Sequence, residues 1–243
     1  MKTVAIVQAR TGSTRLPGKV LLPLLGEPIL SRVLRRVSRS GSVDQVVVAT
    51  TTLAADDTIV EVAEREGVAA VRGSEVDLLD RYLRAARLHE ASSIVRVTSD
   101  CPLIDPSVID DVVDAFDRAD CDYASNTLPP RTFPLGLDVE VIARDALERA
   151  AREDTNPAWR EHATPYLYRH PESFVLVRVP AASDWSMHRW TVDTDGDYEL
   201  VRRIYDAIGR DDFGWKEALA VVEAHPEWMD LNRDVVQKVV PAG

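Results

Sequence analysis

The sequence predicts an α/β fold in which a mostly parallel sheet lies between two layers of helices. Short apolar runs rich in valine and isoleucine alternate with helical patterns through the first 125 residues. Strands that are apolar along their whole length are expected where helices cover both faces of a parallel sheet. Hydrophobic residues make up 45% of the 243 residues, which is enough for a large buried core.

Four strands and four helices are predicted to alternate in this first half. The strand patterns fall at residues 3–7, 45–49, 68–71 and 93–97, and the helical patterns at 29–37, 56–66, 76–91 and 106–118. Gly41 and Gly67 stand where left-handed caps would end the first two helices. Asp105 and Pro106 form a favourable start for the fourth helix. Six strand side chains are expected in the core, namely Val4, Ile6, Val46, Val48, Val95 and Val97.

The regular alternation ends at a proline-rich loop, residues 126–136. Long loops of irregular sequence often cover a bound substrate. Beyond this loop, strands are predicted at 137–142, 174–179 and 188–192, and helices at 144–152, 158–169, 196–208 and 214–224. No linker, internal repeat or low-complexity tract interrupts the chain, so a single domain spanning residues 1–243 is expected.

The composition excludes several classes of protein. A net charge of −11 argues against a groove that follows the backbone of a nucleic acid, although a local basic pocket for a small anion remains compatible with it. The apolar start of the chain is too short for a signal peptide, and no apolar stretch is long enough to span a membrane. We therefore expect a cytoplasmic protein without membrane or nucleic-acid partners. Cys101 and Cys121 are far apart and are expected to be buried thiols.

The segment after the first strand has the composition of a phosphate-binding loop. It reads Gln8-Ala-Arg-Thr-Gly-Ser-Thr-Arg-Leu-Pro-Gly-Lys19, with three cations, two glycines and three hydroxyl residues. Ligands of open α/β sheets bind at the carboxyl ends of the strands, where this segment begins. Glycine lets backbone N–H groups approach phosphate oxygens, and arginine and lysine neutralise them. A solvated basic loop is the alternative interpretation.

Two better-known phosphate loops do not fit this segment. A Walker A loop has four residues between its glycines and a hydroxyl residue after its lysine. Here five residues separate Gly12 from Gly18, and Val20 follows Lys19. The G-x-G-x-x-G pattern of dinucleotide-binding folds is also absent. The segment therefore predicts a triphosphate site of another kind.

The segment resembles the signature of the cytidylyltransferases that activate acidic sugars, which include the synthetases of CMP-sialic acid and CMP-Kdo. The resemblance is strongest to the branch named for spore coat polysaccharide biosynthesis protein F. It extends over nearly the whole chain, through residues 8–19, 72–82, 97–104, 160–166 and 190–197. It implies a three-layer, Rossmann-like nucleotidyltransferase fold, with a nucleotide-binding half at 1–125 and an acceptor-binding and closing half at 126–243.

The same resemblance implies the reaction. An oxygen of a small acidic acceptor would attack the α-phosphorus of CTP with the help of Mg²⁺, and pyrophosphate would leave, in the synthesis of a surface polysaccharide or glycoconjugate. Arg15, Lys19 and Asp100 would be catalytic. Family members are often dimers, which leaves a homodimer open. The nucleotide would be bound by the loop and by two further regions, through Ala9, Arg10, Thr11, Gly12, Ser13, Arg15, Lys19, Thr50, Thr51 and Arg81.

Two aspartates are the expected metal ligands. Asp100 and Asp193 each follow a predicted strand, and Mg²⁺ is usually held by one or two carboxylates together with phosphate oxygens and water. A turn or helix cap is the alternative role for Asp100. Asp195 or Asp197 is expected to cap the helix that follows Asp193.

The acceptor site is less clearly defined by the sequence. The candidates are Arg131, Asp138, Glu140, His162, Tyr166 and Arg189. Asp138 and Glu140 share one face of a predicted strand, which fits either a polyol-binding edge or a solvated face. His162 is either a site residue or a helix histidine with a single hydrogen bond, and Arg81 is either a base-binding residue or a surface cation.

Three other functions remain open at this point. The acceptor of a cytidylyltransferase could be a phosphorylated or phosphonate compound rather than an acidic sugar. A glycosyltransferase that consumes a nucleotide sugar would use a related sheet, although it would commonly show two acidic residues flanking one position, where this chain has Ser99-Asp100-Cys101-Pro102. A nucleotide sensor or scaffold without chemistry is the third.

Overall fold

The computed structural model describes residues 2–238 and 240. Its strands are β1 (Thr3–Gln8), β2 (Pro23–Leu24), β3 (Glu27–Pro28), β4 (Gln45–Thr51), β5 (Ala69–Gly73), β6 (Ser93–Thr98), β7 (Tyr123–Ser125), β8 (Glu140–Ala143) and β9 (Leu176–Arg178). Its α-helices are α1 (Ile29–Val37), α2 (Asp57–Arg65), α3 (Leu78–Leu88), α4 (Pro106–Ala119), α5 (Arg144–Glu153), α6 (Pro157–Arg160), α7 (Pro165–Arg169), α8 (Asp195–Ile208) and α9 (Trp215–Ala224). Short 3-10 helices occupy Lys19–Leu21, Ala54–Asp56 and Pro226–Leu231.

One large sheet runs through the molecule. Over the described ranges it has seven strands in the order β5-β4-β1-β6-β8-β7-β9, and β2 and β3 form a separate small hairpin. The strands β5, β4, β1 and β6 are parallel to one another, and β8 is antiparallel to both β6 and β7. Because β6 pairs directly with β8, the first and second halves of the chain share this sheet. The predicted α/β fold with a mostly parallel sheet is confirmed.

Helices cover both faces of the sheet. Along β1, the side chains of Val4 and Ile6 face one apolar cluster, and those of Ala5 and Val7 face the other. The first cluster includes residues of α3, α5 and α7, and the second includes residues of α1, α2, α4, α8 and α9. This alternation explains why the strands are apolar at every position, and it gives the expected three layers.

Most sequence expectations for the first half are confirmed. Of the predicted core residues, only Val46 is partly rather than fully buried. Asp105 caps α4 by accepting a hydrogen bond from the backbone of Ser107, and Gly67 is left-handed after α2. Cys101 and Cys121 are buried free thiols. The prediction that Gly41 forms a left-handed cap of α1 was wrong, because α1 ends at Val37 and is followed by right-handed backbone at Ser38.

The second half departs further from the expectations. The helix predicted at 158–169 is two short helices, because Pro165 starts a new first turn. The strand predicted at 188–192 is reduced to one bridge between Leu135 and Arg189. Thr194 caps α8, with Asp197 as the reciprocal partner of a capping box, so the expectation of an aspartate at the cap position was wrong. Within the described chain, no helix is long and apolar enough to cross a membrane.

Candidate active site

A cavity of about 680 Å³ opens at the carboxyl ends of β1 and β6. Its walls come from the loop after β1, from the end of β6, from the proline-rich loop and from residues 161–168. This is the edge at which ligands of open α/β sheets bind. The volume is within the range of small-molecule sites.

The loop after β1 is folded back on itself and anchored by Asp56. The Asp56 Oδ1 atom accepts hydrogen bonds from the backbone N–H and the hydroxyl of Thr11, at 2.8 and 2.7 Å, and Thr51 donates to Oδ2. Burial alone would raise the pKa of Asp56, but these hydrogen bonds outweigh it and hold the pKa below its usual value. Gly18 is left-handed and directly precedes Lys19. This turn brings the Lys19 side chain back towards the sheet edge.

Four charged groups converge beside this loop. The Lys19 ammonium lies 2.5 Å from Oδ2 of Asp100 and 2.7 Å from Oδ1 of Asp193. Arg15 reaches the other oxygen of Asp193, at 2.7 Å. We name these four residues, Arg15, Lys19, Asp100 and Asp193, the phosphate edge. Asp100 and Asp193, the two expected metal ligands, are brought together by their shared contact with Lys19, and their role as metal ligands stays a prediction.

The charges of the phosphate edge support one another. Burial would lower the pKa of Lys19, but the two carboxylates raise it above its usual value. Burial would raise the pKa of Asp100, but the Lys19 ammonium holds it below its usual value. Both side chains are therefore ionised over the whole neutral pH range.

The two carboxylates suit a hard divalent cation. Asp100 and Asp193 both contact the Lys19 ammonium, and oxygen ligands are what Mg²⁺ prefers. No cluster of three or more His, Cys, Asp or Glu side chains exists in the described ranges. A cation at this position would therefore complete its coordination with phosphate oxygens and water, as magnesium usually does.

The orientation of Asp193 is fixed by contacts with Arg189 and Asp197. Arg189 donates to Oδ2 of Asp193 at 2.8 Å, and its Nε donates to Asp197, also at 2.8 Å. The backbone N–H of Asp193 donates to Asp197 Oδ2 at 3.1 Å. Arg189, predicted as an acceptor-binding residue, thus does not line the main cavity and instead orients Asp193.

The predicted nucleotide-binding residues separate into two groups. Several line the cavity, namely Ala9, Arg10, Gly12, Ser13, Arg15, Lys19 and Arg81. Three do not: Thr11 bonds Asp56, Thr51 bonds the same carboxylate, and Thr50 is fully buried without a partner for its hydroxyl in the described chain. A role for these three in binding the base stays a prediction.

Arg81 is a buried residue rather than a surface cation. It is 4% exposed, and its Nε and Nη1 atoms have no hydrogen-bond partner among the described residues. Burial lowers the pKa of Arg81. Its side chain packs on Gly73, where an added Cβ would lie 2.8 Å from the Arg81 Cγ atom. The glycine therefore makes the room that lets this guanidinium reach the cavity wall.

The predicted acceptor residues lie on the β8 side of the cavity. Arg131 and Asp138 form a two-point ion pair at 2.6 and 3.0 Å, and both line the cavity with Glu140 and His162. Burial lowers the pKa of His162, so its ring is neutral at neutral pH. Tyr166 does not line the cavity, because its hydroxyl faces Glu153 at 3.3 Å.

Glu140 is buried, so the interpretation of this carboxylate as part of a solvated face was wrong. It lies directly opposite Arg96 across β6 and β8, bonds Arg96, and accepts a 2.6 Å hydrogen bond from Tyr123. Arg96 was missed at the sequence level, although it lines the cavity. The available signal was a lone arginine within the apolar run Ser93-Ile-Val-Arg-Val97. We name Arg96, Arg131, Asp138 and Glu140 the acceptor floor.

The comparison with known proteins decides the family. Residues 4–213 match the family model described as Cytidylyltransferase. The chain belongs to the cytidylyltransferase family. It is therefore a nucleotidyltransferase, as the resemblance of the phosphate loop implied.

Individual family members are similar over most of their length. The spore coat polysaccharide biosynthesis protein SpsF of Bacillus subtilis is 33% identical, with 91% of this chain and 94% of SpsF covered. The solved structure of a cytidylyltransferase from Leptospira borgpetersenii is 35% identical, with a TM-score of 0.90 and coverage of 98% and 100%. A CMP:2-keto-3-deoxy-manno-octonic acid synthetase solved in complex with CTP shares the fold, at 20% identity and a TM-score of 0.67, over 85% of this chain and 99% of its own.

Proposed function

We propose that this cytidylyltransferase transfers CMP from CTP to a small acidic sugar or related acceptor and releases pyrophosphate, with a divalent cation such as Mg²⁺, in the synthesis of a surface polysaccharide or glycoconjugate. The observation that carries the proposal is the phosphate edge. Two cations from the segment after β1 and the carboxylates of Asp100 and Asp193 meet in the cavity of a chain of this family. The nucleotide would lie over the half formed by residues 1–125, and the acceptor over the half formed by 126–243.

The loop cations would bind the triphosphate. Arg15, Lys19 and Arg10 lie at the cavity wall together with the glycine-containing turn after β1. Their positive charge would offset the charge that develops on the leaving pyrophosphate, and fixed charges of this kind dominate phosphoryl-transfer catalysis. Arg81, whose Nε and Nη1 atoms have no partner among the described residues, is suited to donate hydrogen bonds to the base.

Asp100 and Asp193 would hold the divalent cation. A bound cation there would polarise the α-phosphoryl group and screen its negative oxygens from the incoming acceptor. The chain's own contribution is the orientation of the two carboxylates. Asp193 is fixed by Arg189 and by its backbone contact with Asp197, an outer-shell arrangement that is typical of metal ligands.

Arg96 is the group best suited to bind the anionic end of the acceptor. Its Nη1 atom is bonded to Glu140, whereas its buried Nε atom has no hydrogen-bond partner within the described chain. Arg131, in contrast, has both of its terminal nitrogens bonded to Asp138. Arg96 pairs with Glu140 across β6 and β8, so it joins the cavity wall at the sheet position where the second half of the chain begins to contribute. Sugar carboxylates, phosphates and phosphonates all suit one guanidinium.

The test is a pyrophosphate-release assay. The protein is incubated with each of the four common ribonucleoside triphosphates, with Mg²⁺ or Mn²⁺, and with paired acceptors in which an acidic sugar is matched to its uncharged amide. We expect turnover with CTP and the acid, and loss of turnover in Asp100→Asn but not in the exposed control Asp114→Asn. If CTP with metal does not raise the melting temperature, the proposed function fails at its first step.

A further inference from the structure

We infer that the Lys19 ammonium occupies the divalent-cation position in the nucleotide-free protein, so that the enzyme takes up a metal–nucleotide complex and excludes free metal. This inference rests on the proposed function, because it assumes that Asp100 and Asp193 are the metal ligands. It adds a second role for Lys19 to the proposed binding of phosphates. It also identifies the chemical form in which the nucleotide is bound.

The geometry of the phosphate edge carries the inference. One nitrogen lies within 2.7 Å of an oxygen from each of two carboxylates that are 93 residues apart in sequence. Lys19 is only 8% exposed, so its ammonium is held in the site instead of sampling solvent. The position between Asp100 and Asp193 that a metal would need is thus filled by a side chain of the same chain.

The charges in this cluster are already balanced. Lys19 and Arg15 supply two positive charges for the two carboxylates, and Arg189 is balanced by its contact with Asp197. A free divalent cation would have to enter beside Lys19, Arg15 and Arg189, which all lie within 2.8 Å of Asp193 oxygens. Adding two charges to a neutral, largely buried cluster is unfavourable. Metal can therefore bind only by displacing a cation.

The two kinds of cation around Asp193 differ in how they are attached. Lys19 and Arg15 belong to the loop that lines the phosphate side of the cavity, and outside this cluster no hydrogen bond in the described chain engages either side chain. Arg189 is held by Asp197 and by Gln237, at 2.8 and 2.6 Å. An incoming triphosphate offers new anionic partners to the loop cations alone. Lys19 and Arg15 can then move to the phosphates while Arg189 stays.

This exchange couples the two ligands. A metal that arrives on the phosphates restores the neutralisation that Asp100 and Asp193 lose when Lys19 departs. By linkage, CTP raises the affinity for the metal by the same factor as the metal raises the affinity for CTP. Without nucleotide, the metal competes with an ammonium that is part of the fold, and its apparent affinity is reduced accordingly.

The experiment measures Mn²⁺ binding in the absence of nucleotide. Free Mn²⁺ is followed by electron paramagnetic resonance in titrations of the wild type, Lys19→Met and Lys19→Arg. Methionine keeps the length of the lysine stem without its charge, whereas arginine retains a cation. We expect Lys19→Met to bind one Mn²⁺ at least tenfold more tightly than the wild type, and Lys19→Arg to resemble the wild type. Adding Asp100→Asn to Lys19→Met should abolish the gained site.

The inference is overturned if nucleotide-free wild type binds one Mn²⁺ as tightly as Lys19→Met does, or if Lys19→Met gains no site. Should Lys19→Met fail to fold, the wild-type titration still decides, because tight stoichiometric Mn²⁺ binding without nucleotide contradicts an ammonium in the metal position. Thermal unfolding with CTP and Mg²⁺ is run in parallel. No stabilisation there would refute the proposed function, whereas the Mn²⁺ titration reports on the carboxylate pair by itself.

Discussion

The phosphate edge and the acceptor floor line the same cavity, but they are built from different parts of the fold. The cations of the phosphate edge come from the segment that follows β1, and each is paired with Asp100 or Asp193. The acceptor floor begins within the sheet, where Arg96 and Glu140 are opposite neighbours on β6 and β8. Loop cations can exchange partners when an anion enters. Arg96 and Glu140 lie on paired strands and keep their positions, so this part of the acceptor floor is set before any ligand binds.

The two regions also differ in which donors are free. On the phosphate edge, the Lys19 ammonium and Asp193 are engaged several times over. On the acceptor floor, the buried Nε atom of Arg96 has no hydrogen-bond partner in the described chain. We therefore expect substitutions on the phosphate edge to change the rate of the chemical step. Substitutions on the acceptor floor should change the affinity for the acceptor.

The largest effect is expected for Lys19→Met. Loss of the charge that stabilises the leaving pyrophosphate should lower kcat by about 10³-fold, the upper range for removal of one preorganised donor. The KM of the acceptor should remain within a few-fold of the wild-type value. Steady-state pyrophosphate release measures both quantities, and Lys216→Met, on the exposed surface of α9, is the matched control. A raised acceptor KM with an unchanged kcat would erase the distinction between the two regions.

The next effect is expected for Arg96→Met. A hydrogen bond to a charged group contributes about 1.5–3 kcal/mol, so its loss should raise the acceptor KM by roughly 10- to 100-fold while the CTP KM changes less than twofold. Because a lone Glu140 would be left buried and charged, the double variant Arg96→Met/Glu140→Gln is measured beside it. Arg87→Met, at an exposed ion pair on α3, is the control. An equal rise in the CTP KM would contradict the assignment of Arg96 to the acceptor subsite.

Asp56 allows the anchoring of the phosphate loop to be tested separately from its charges. Asp56→Asn should lower the free energy of unfolding by about 2 kcal/mol, because hydrogen bonds from Thr11 and Thr51 to a carboxylate are weakened. Chemical denaturation measures this change. The adjacent Asp57→Asn, at an exposed pair with Arg72, should change stability far less.

The stabilisation that Asp56 provides is expected to depend on pH. The pKa of Asp56 is lowered in the folded protein, whereas an unfolded aspartate titrates near pH 3.9. Its stabilisation is therefore complete above about pH 4 and is lost as the pH falls through the lowered folded value. The difference in Tm between wild type and Asp56→Asn should be constant from pH 7 to pH 5 and shrink below pH 4. A difference that grows with acid would contradict the role of the ionised carboxylate.

The contrast between the two halves of the sheet explains what the sequence could predict. Strands β1, β4, β5 and β6 are local apolar runs separated by amphipathic helices, so their periodicity identifies them. In the second half, β7 and β9 have three residues each, and the strand-type pairing of residues 188–192 is limited to one isolated bridge in the described chain. Contacts between distant segments determine these elements, and no local pattern encodes them.

The site shows the same division. The phosphate loop could be predicted because its cations, glycines and hydroxyl residues are contiguous in sequence. Asp100 and Asp193 could be proposed because each follows a predicted strand, but their meeting at Lys19 depends on tertiary contacts such as the backbone hydrogen bond from Val192 to Asp100. Arg96 was missed because a single arginine in an apolar run carries no signal of the Glu140 that pairs with it. Arg189 was assigned to the acceptor because its contact with Asp193 depends on tertiary structure.

The smallest effect is expected for Thr50→Val, which tests where the site ends. Thr50 is fully buried at the end of β4, does not line the cavity, and its hydroxyl has no partner in the described chain. Valine has nearly the same shape, so removing an unpaired buried hydroxyl should leave the CTP KM within twofold and stabilise the fold by about 1 kcal/mol. Thr52→Val, at an exposed position two residues on, is the control. A tenfold rise in the CTP KM for Thr50→Val, and not for Thr52→Val, would contradict this expectation. It would place Thr50 in the base subsite and would require a rearrangement on binding that brings its hydroxyl to the nucleotide.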